Sequence, residues 1–168
     1  ITSVLFVVEF GISKQTFPYY QAALLGAWLI ASLVHVKIIA LFGEYTVKII
    51  GLSLLSFGAI GITLSAIFCP VNAFMLTSAM ILYTIGCNWT QGLYFPESME
   101  ILPDIKGITA SILTSARLLI TAIIIAATSS FYNGTVYPVV VTIVAIVLAI
   151  IPLLLMYEKR RNIKALAQ

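Results

Sequence analysis

Charge is scarce in this sequence. Nine Lys and Arg and six Asp and Glu make up only 9% of 168 residues, where a soluble domain carries roughly 25%. So few charges cannot give a globular surface its polar cover, which excludes a soluble enzyme or binding module of ordinary composition. Histidine occurs once and cysteine twice. One imidazole leaves little material for a His-based metal site or a nucleophile–His triad. Cys69 and Cys87 fall at different depths of different apolar segments, so they are not expected to pair. HExxH, the P-loop and GxGxxG are all absent. No enzymatic activity, metal or cofactor is therefore expected.

What is abundant is oil. The chain is 61% hydrophobic with a mean hydropathy of +1.11. Uncharged runs near 20 residues are the length a bilayer core demands of a helix. Full spans are expected at residues 18–42, 47–68, 72–95, 107–130 and 138–157. Pro18 opens the first of these, as a favoured first helical residue. Pro96 closes the third, and Pro152 is a tolerated kink in the last. Residues 1–10, ITSVLFVVEF, supply only half a span and do not read as a signal peptide. A free ammonium group in mid-bilayer is costly. The expectation is a fragment whose parent continues upstream; the alternative is a true terminus at the interface. The fold class is thus an all-α membrane protein with one truncated and five full transmembrane helices. Residues 1–157 form the bundle and 158–168 a frayed tail.

Positive charge marks the cytoplasmic side of short loops. If the spans alternate, one side receives Lys37, Lys48, Lys106, Lys159, Arg160, Arg161 and Lys164, and the other only Lys14. GEYT, ESMEILPDIKG and the tail are then cytoplasmic. GISKQTF, CPVN and YNGTVYP face outward. The tail's basic residues are fully accounted for as this anchor, so no nucleic acid is expected as a partner. ESMEILPDIKG holds Glu97, Glu100, Asp104 and Lys106, four of the fifteen charged side chains. Read from the residues alone, these solvate a cytoplasmic turn, where charge costs little.

Few polar residues remain inside the spans. Arg117 lies ten residues beyond Gly107, about 15 Å deep at the helical rise. An arginine there is a functional candidate unless it snorkels. No acid in another span matches its depth, since Glu9 lies nearer the outer face. Asn88 and Gln91 share a helical face that Tyr94 extends, suited either to interhelical hydrogen bonds or to lining a water-filled path. His35, seven residues from the inner end of its span, can titrate in a proton path or bond a neighbouring helix. Trp28, Tyr19 and Tyr20 are placed as packing or interfacial aromatics.

Two segments carry a resemblance. In the first stand Glu9, Gly11-Ile12-Ser13 and Leu41-Phe42-Gly43. The second, YFPESMEILPDIKGITASILTSARLL, holds Pro96, Met99, Pro103, Gly107, Thr109-Ala110-Ser111 and Arg117. Together they resemble the C-terminal half of a major facilitator superfamily transporter, of the bicyclomycin-resistance type of drug:proton antiporter. The resemblance covers essentially the whole chain and implies half of a two-part bundle that rocks around a midplane site. It implies a missing N-terminal six-helix half, small-molecule substrates and protons as partners, and a bacterial inner membrane with the C-terminus in the cytoplasm. Arg117, Asn88, Gln91, His35 and Glu9 become candidates for the substrate or proton pathway. The competing expectation is a non-transport scaffold or complex subunit in which the polar residues only join helices.

Overall fold

A computed structural model describes residues 6–7, 10–69, 72–101 and 103–166, with the side chains of Pro103 and of residues 159–166 left undescribed. Among these residues the fold is all-helical, with five long helices. They are α1 (Phe17–Phe42), α2 (Glu44–Phe68), α3 (Ala73–Glu100), α4 (Lys106–Ser130) and α5 (Tyr137–Leu166). A short 3-10 turn, Pro103–Ile105, leads into α4. Four of the five, α1, α2, α4 and the stretch Tyr137–Glu158 of α5, are long and apolar enough to cross a membrane. The expected half-span at residues 1–10 lies mostly outside the described residues, and Glu9 lies wholly outside them.

The breaks between helices are short and chemically specified. Gly43 alone separates α1 from α2, at φ 78° and ψ 156°, a backbone region that side chains with a Cβ avoid. Its N–H closes α1 by bonding the Ile39 carbonyl at 2.8 Å. Asn72 caps α3, its side chain accepting from the N–H groups of Phe74 and Met75 at 3.1 and 3.2 Å. Pro96 does not end α3, as the sequence suggests. The helix runs on to Glu100 with the proline inside it. Proline removes one backbone donor and crowds the carbonyl four residues back. That residue is Gly92, which has no side chain to add to the crowding. The C-terminal tail is also not frayed from residue 158, because α5 continues to Leu166.

The helices α2 and α3 meet most closely. A Cβ placed on Gly86 would lie 2.8 Å from the Gly51 carbonyl oxygen, and one on Gly58 would lie 2.7 Å from the Cβ of Tyr83. Where lipid removes the hydrophobic drive for helices to associate, such close backbone approach supplies dispersion contact instead. Hydroxyls along the helices bond back into their own helix. Thr63 donates to the Ala59 carbonyl at 2.8 Å and Thr77 to the Ala73 carbonyl at 2.7 Å. Phe6, Ile62, Ala66, Ala73, Leu76 and Val140 form the core at one end, where the Phe6 ring also meets Phe10, Phe17 and Tyr20. Helix α4 stands apart. Its most apolar stretch of spanning length has no buried residue, against 39% for α2.

Candidate functional site

At the end where α2 starts and α3 finishes, three charges converge. Lys48 is almost fully buried. Its Nζ donates to Glu97 Oε2 at 2.6 Å and to Glu158 Oε1 at 2.9 Å. The same Nζ sits 4.6 Å from the centre of the Tyr94 ring, which forms a T-shaped pair with Tyr157 at 6.1 Å. Both carboxylates are mostly covered, with 19% and 14% of their side chains exposed. One cation thus ties α3 and α5 to α2. This corrects the reading of Glu97 as a solvated loop acid: it lies within α3, and its carboxylate is engaged. Lys48 likewise reaches a protein partner rather than only the membrane surface.

A polar cleft opens between α1 and α3, and it gathers three of the sequence candidates. His35, Asn88 and Gln91 all line it, with Trp28, Ser32, Gly92, Phe95 and Pro96, around about 250 Å³. Their roles divide. Asn88 is buried, and its Nδ2 donates to Ser32 Oγ at 2.7 Å. Trp89 Nε1 donates to the Ala31 carbonyl at 3.1 Å. These two bonds join α3 to α1. Gln91, one turn on, is exposed. Tyr94 leaves the stripe altogether and turns to Lys48. Three residues make about 300°, so two such steps rotate a side chain about 120° off the starting face. His35 is 9% exposed, stacks on Trp89 at 6.5 Å and 19°, and has a buried Nε2 without a hydrogen-bond partner.

Arg117 does not join this cleft. It is exposed, in the middle of α4. The helix begins at Lys106, so the guanidinium's Cα lies roughly 16 Å from that end at 1.5 Å per residue. Its azimuth is informative. Thr128 is the one buried residue of α4 among those described, and it bonds Thr142 of α5 at 3.0 Å. Arg117 is eleven residues before it, three turns to within about 20°. Half-buried Ala110, Thr114 and Ile124 share that face, whereas Ile112, Leu119 and Ile123 are exposed on the others. Arg117 therefore projects from the packing face of a helix that stands off at mid-height. No carboxylate pairs with it among the described residues.

The sequence reading missed the roles of Lys48, Glu158 and Trp89. Its own charge-sided topology held the signal for the first two, since it put the ends of α2, α3 and α5 on one side. Comparison with protein-family models, with curated proteins and with solved structures gives no match.

Proposed function

We propose that this chain is one half of the transmembrane bundle of a secondary active transporter. It works by alternating access against a second half and exports drugs or small organic molecules at the expense of proton entry. The setting is a bacterial inner membrane, with the Lys48–Glu97–Glu158 end in the cytoplasm. The full count of one partial and five complete spans belongs to this proposal, as does the likeness to the major facilitator superfamily. One observation carries it: Arg117, the one charge of α4 beyond its first residue, stands at mid-height on the packing face of a helix whose spanning stretch the described residues leave uncovered. Facing lipid, an arginine at that depth costs roughly 2.5–3.5 kcal/mol on insertion scales. Facing a polar passage closed by a second half, it is hydrated or paired. The guanidinium stays protonated, so its part is to hold an anionic group rather than to carry the proton.

The test uses the complete reading frame in an efflux-deficient bacterial strain. Arg117→Leu is expected to abolish resistance at normal membrane abundance, and Arg117→Lys to keep part of it. Full resistance with Arg117→Leu removes the functional role. Uphill efflux by the 168-residue chain alone in liposomes overturns the half-bundle reading. The Asn88–Ser32 and Trp89–Ala31 bonds favour a second reading, a scaffold whose polar residues only fasten helices. Under it, position 91 is closed to water.

A further inference from the structure

The cleft between α1 and α3 contains more unspent hydrogen-bonding capacity than packing requires. His35 is the clearest case. A phenylalanine or leucine would fill its seat without orphaning a buried nitrogen, a loss that ordinarily outweighs the contacts of the ring around it. The half-turn that exchanges the two faces of an imidazole swaps Nε2 with Cε1. Cε1 is the ring atom nearest Gly92: a Cβ there would lie 2.5 Å from it and 2.9 Å from Nδ1. Gly92 itself lines the cleft. Gly92 thus seats the imidazole against α3, in a space that a Cβ would take, and His35 itself lines the cleft beside it. Pro96 adds a second group. It has no N–H to give the Gly92 carbonyl, its natural acceptor in the helix. Gln91 adds an exposed amide.

The walls restrict what fits. Trp28 and Phe95 supply aromatic surface. Among the described residues no Asp, Glu, Lys or Arg lines the cleft, so none of them would neutralise a charged ligand there. At about 250 Å³ the space falls just under the range of roughly 300–1,000 Å³ usual for ligand sites.

We propose that this cleft binds a small, uncharged aromatic molecule bearing an amide-like group, which both donates and accepts. Its ring lies against Trp28 and Phe95. Its donor meets the Gly92 carbonyl, and its acceptor meets the His35 imidazole or the Gln91 amide. This builds on the transporter reading and names the class of substrate. His35 is then a specificity-determining residue, and Gly92 seats its ring.

The chain is well suited to a direct test, because its one histidine and one of its two tryptophans line the cleft and the other tryptophan stacks on that histidine. The 168-residue chain in lipid nanodiscs is titrated with benzamide, with benzoate and cyclohexanecarboxamide as comparators. Tryptophan fluorescence gives the affinity. Nitrogen-15 shifts of the histidine ring give the contact. Benzamide is expected to quench saturably at a dissociation constant on the order of 1 mM, the range open to a fragment-sized ligand. It is expected to move both ring-nitrogen signals. Benzoate and cyclohexanecarboxamide are expected to bind about tenfold more weakly. His35→Phe and Gly92→Ala are expected to weaken benzamide by a similar factor, with unchanged helical circular dichroism confirming that each variant folds. Equal binding of benzamide and cyclohexanecarboxamide overturns the proposal, as does saturation that leaves the histidine signals in place or the absence of saturable quenching. Binding needs no second half. Failure here with intact drug resistance in cells removes only this inference, and binding without any transport removes only the transporter reading.

Discussion

Replacing Lys48 by methionine is the sharpest probe of how the bundle is held. The side chain length is kept and the charge is removed. Glu97 and Glu158 are then left facing each other, both mostly covered, at the place where Nζ had bonded each of them at 2.6 and 2.9 Å. Breaking a buried ion pair by deleting one partner costs about 3–5 kcal/mol, because a covered charge loses its compensation. The residual exposure of 19% and 14% relieves part of that, which favours the lower end. The lost contact with the Tyr94 ring adds about 0.5–1 kcal/mol. The expected total is about 3–4 kcal/mol, or a fall in the unfolding midpoint of roughly 6–16 °C for a chain of this size.

Circular dichroism of the purified chain in nanodiscs measures the midpoint. The design of the comparison matters more than the single value. Glu97→Gln leaves Lys48 bonded to Glu158, so the cost is about 1–2 kcal/mol. The triple variant Lys48→Met, Glu97→Gln, Glu158→Gln removes these three charges together, and a neutralised cluster is often as stable as the ionic one. It is expected to recover most of what Lys48→Met loses. A shift under 2 °C for Lys48→Met, or no recovery in the triple variant, would falsify the claim that stranded charge is what the lysine prevents.

Three further outcomes are expected. Gly86→Ala forces α2 and α3 apart, since its Cβ would sit 2.8 Å from the Gly51 carbonyl oxygen, and costs about 1–3 kcal/mol or more, whereas Gly26→Ala meets nothing within 4 Å and is neutral or slightly stabilising in the same melt. In a background without Cys69 and Cys87, Gln91→Cys reacts with a water-soluble thiol reagent and Asn88→Cys is protected, because only the first is exposed; protection of both favours the scaffold reading. Reporter fusions after residues 102 and 134 report opposite sides of the membrane, and the same side for both would undo the span count.

How much of this was legible beforehand depends on the kind of signal. Uncharged length gave the helices, because a lipid solvent forces backbone groups to pair within a segment and leaves few alternatives. Their ends were less legible. Pro96 reads as a stop in an isolated sequence, yet α3 passes through it to Glu100. His35, Asn88 and Gln91 were each legible as candidates, because any polar residue in a span is notable where polar groups are expensive, but their meeting in one cleft was not. Their division into fasteners and lining was not legible. Asn88 bonds Ser32 fifty-six residues away, and no local pattern encodes which side of α3 will meet α1. The ion cluster was legible only in part. Sidedness placed Lys48, Glu97 and Glu158 at one end, but their contact depends on how α2, α3 and α5 are rotated.

The remaining prediction separates fastening from lining within one aromatic side chain. Trp89 does not line the cleft, but it touches α1 twice, through the indole N–H on the Ala31 carbonyl and through the stack on His35. Trp89→Phe keeps a ring beneath the imidazole and deletes only the hydrogen bond. Interhelical bonds of this kind in membranes are worth about 0.6 kcal/mol on average and about 1.7 at most, so the melt should move little. The Ala31 carbonyl then loses the only side-chain partner described for it, and α1 is held to α3 at this level chiefly by Asn88. If the hydrogen bond sets the height of α1 against α3, the histidine ring signals shift or broaden while global stability stays within about 1.7 kcal/mol of the parent. Unchanged histidine signals with an unchanged melt would mean that the bond is incidental and that the Gly92 seat alone positions His35. A collapse of the melt by several kcal/mol would mean that Trp89 is a core residue of the bundle, and the division of α3 into a fastening and a lining side would have to be abandoned.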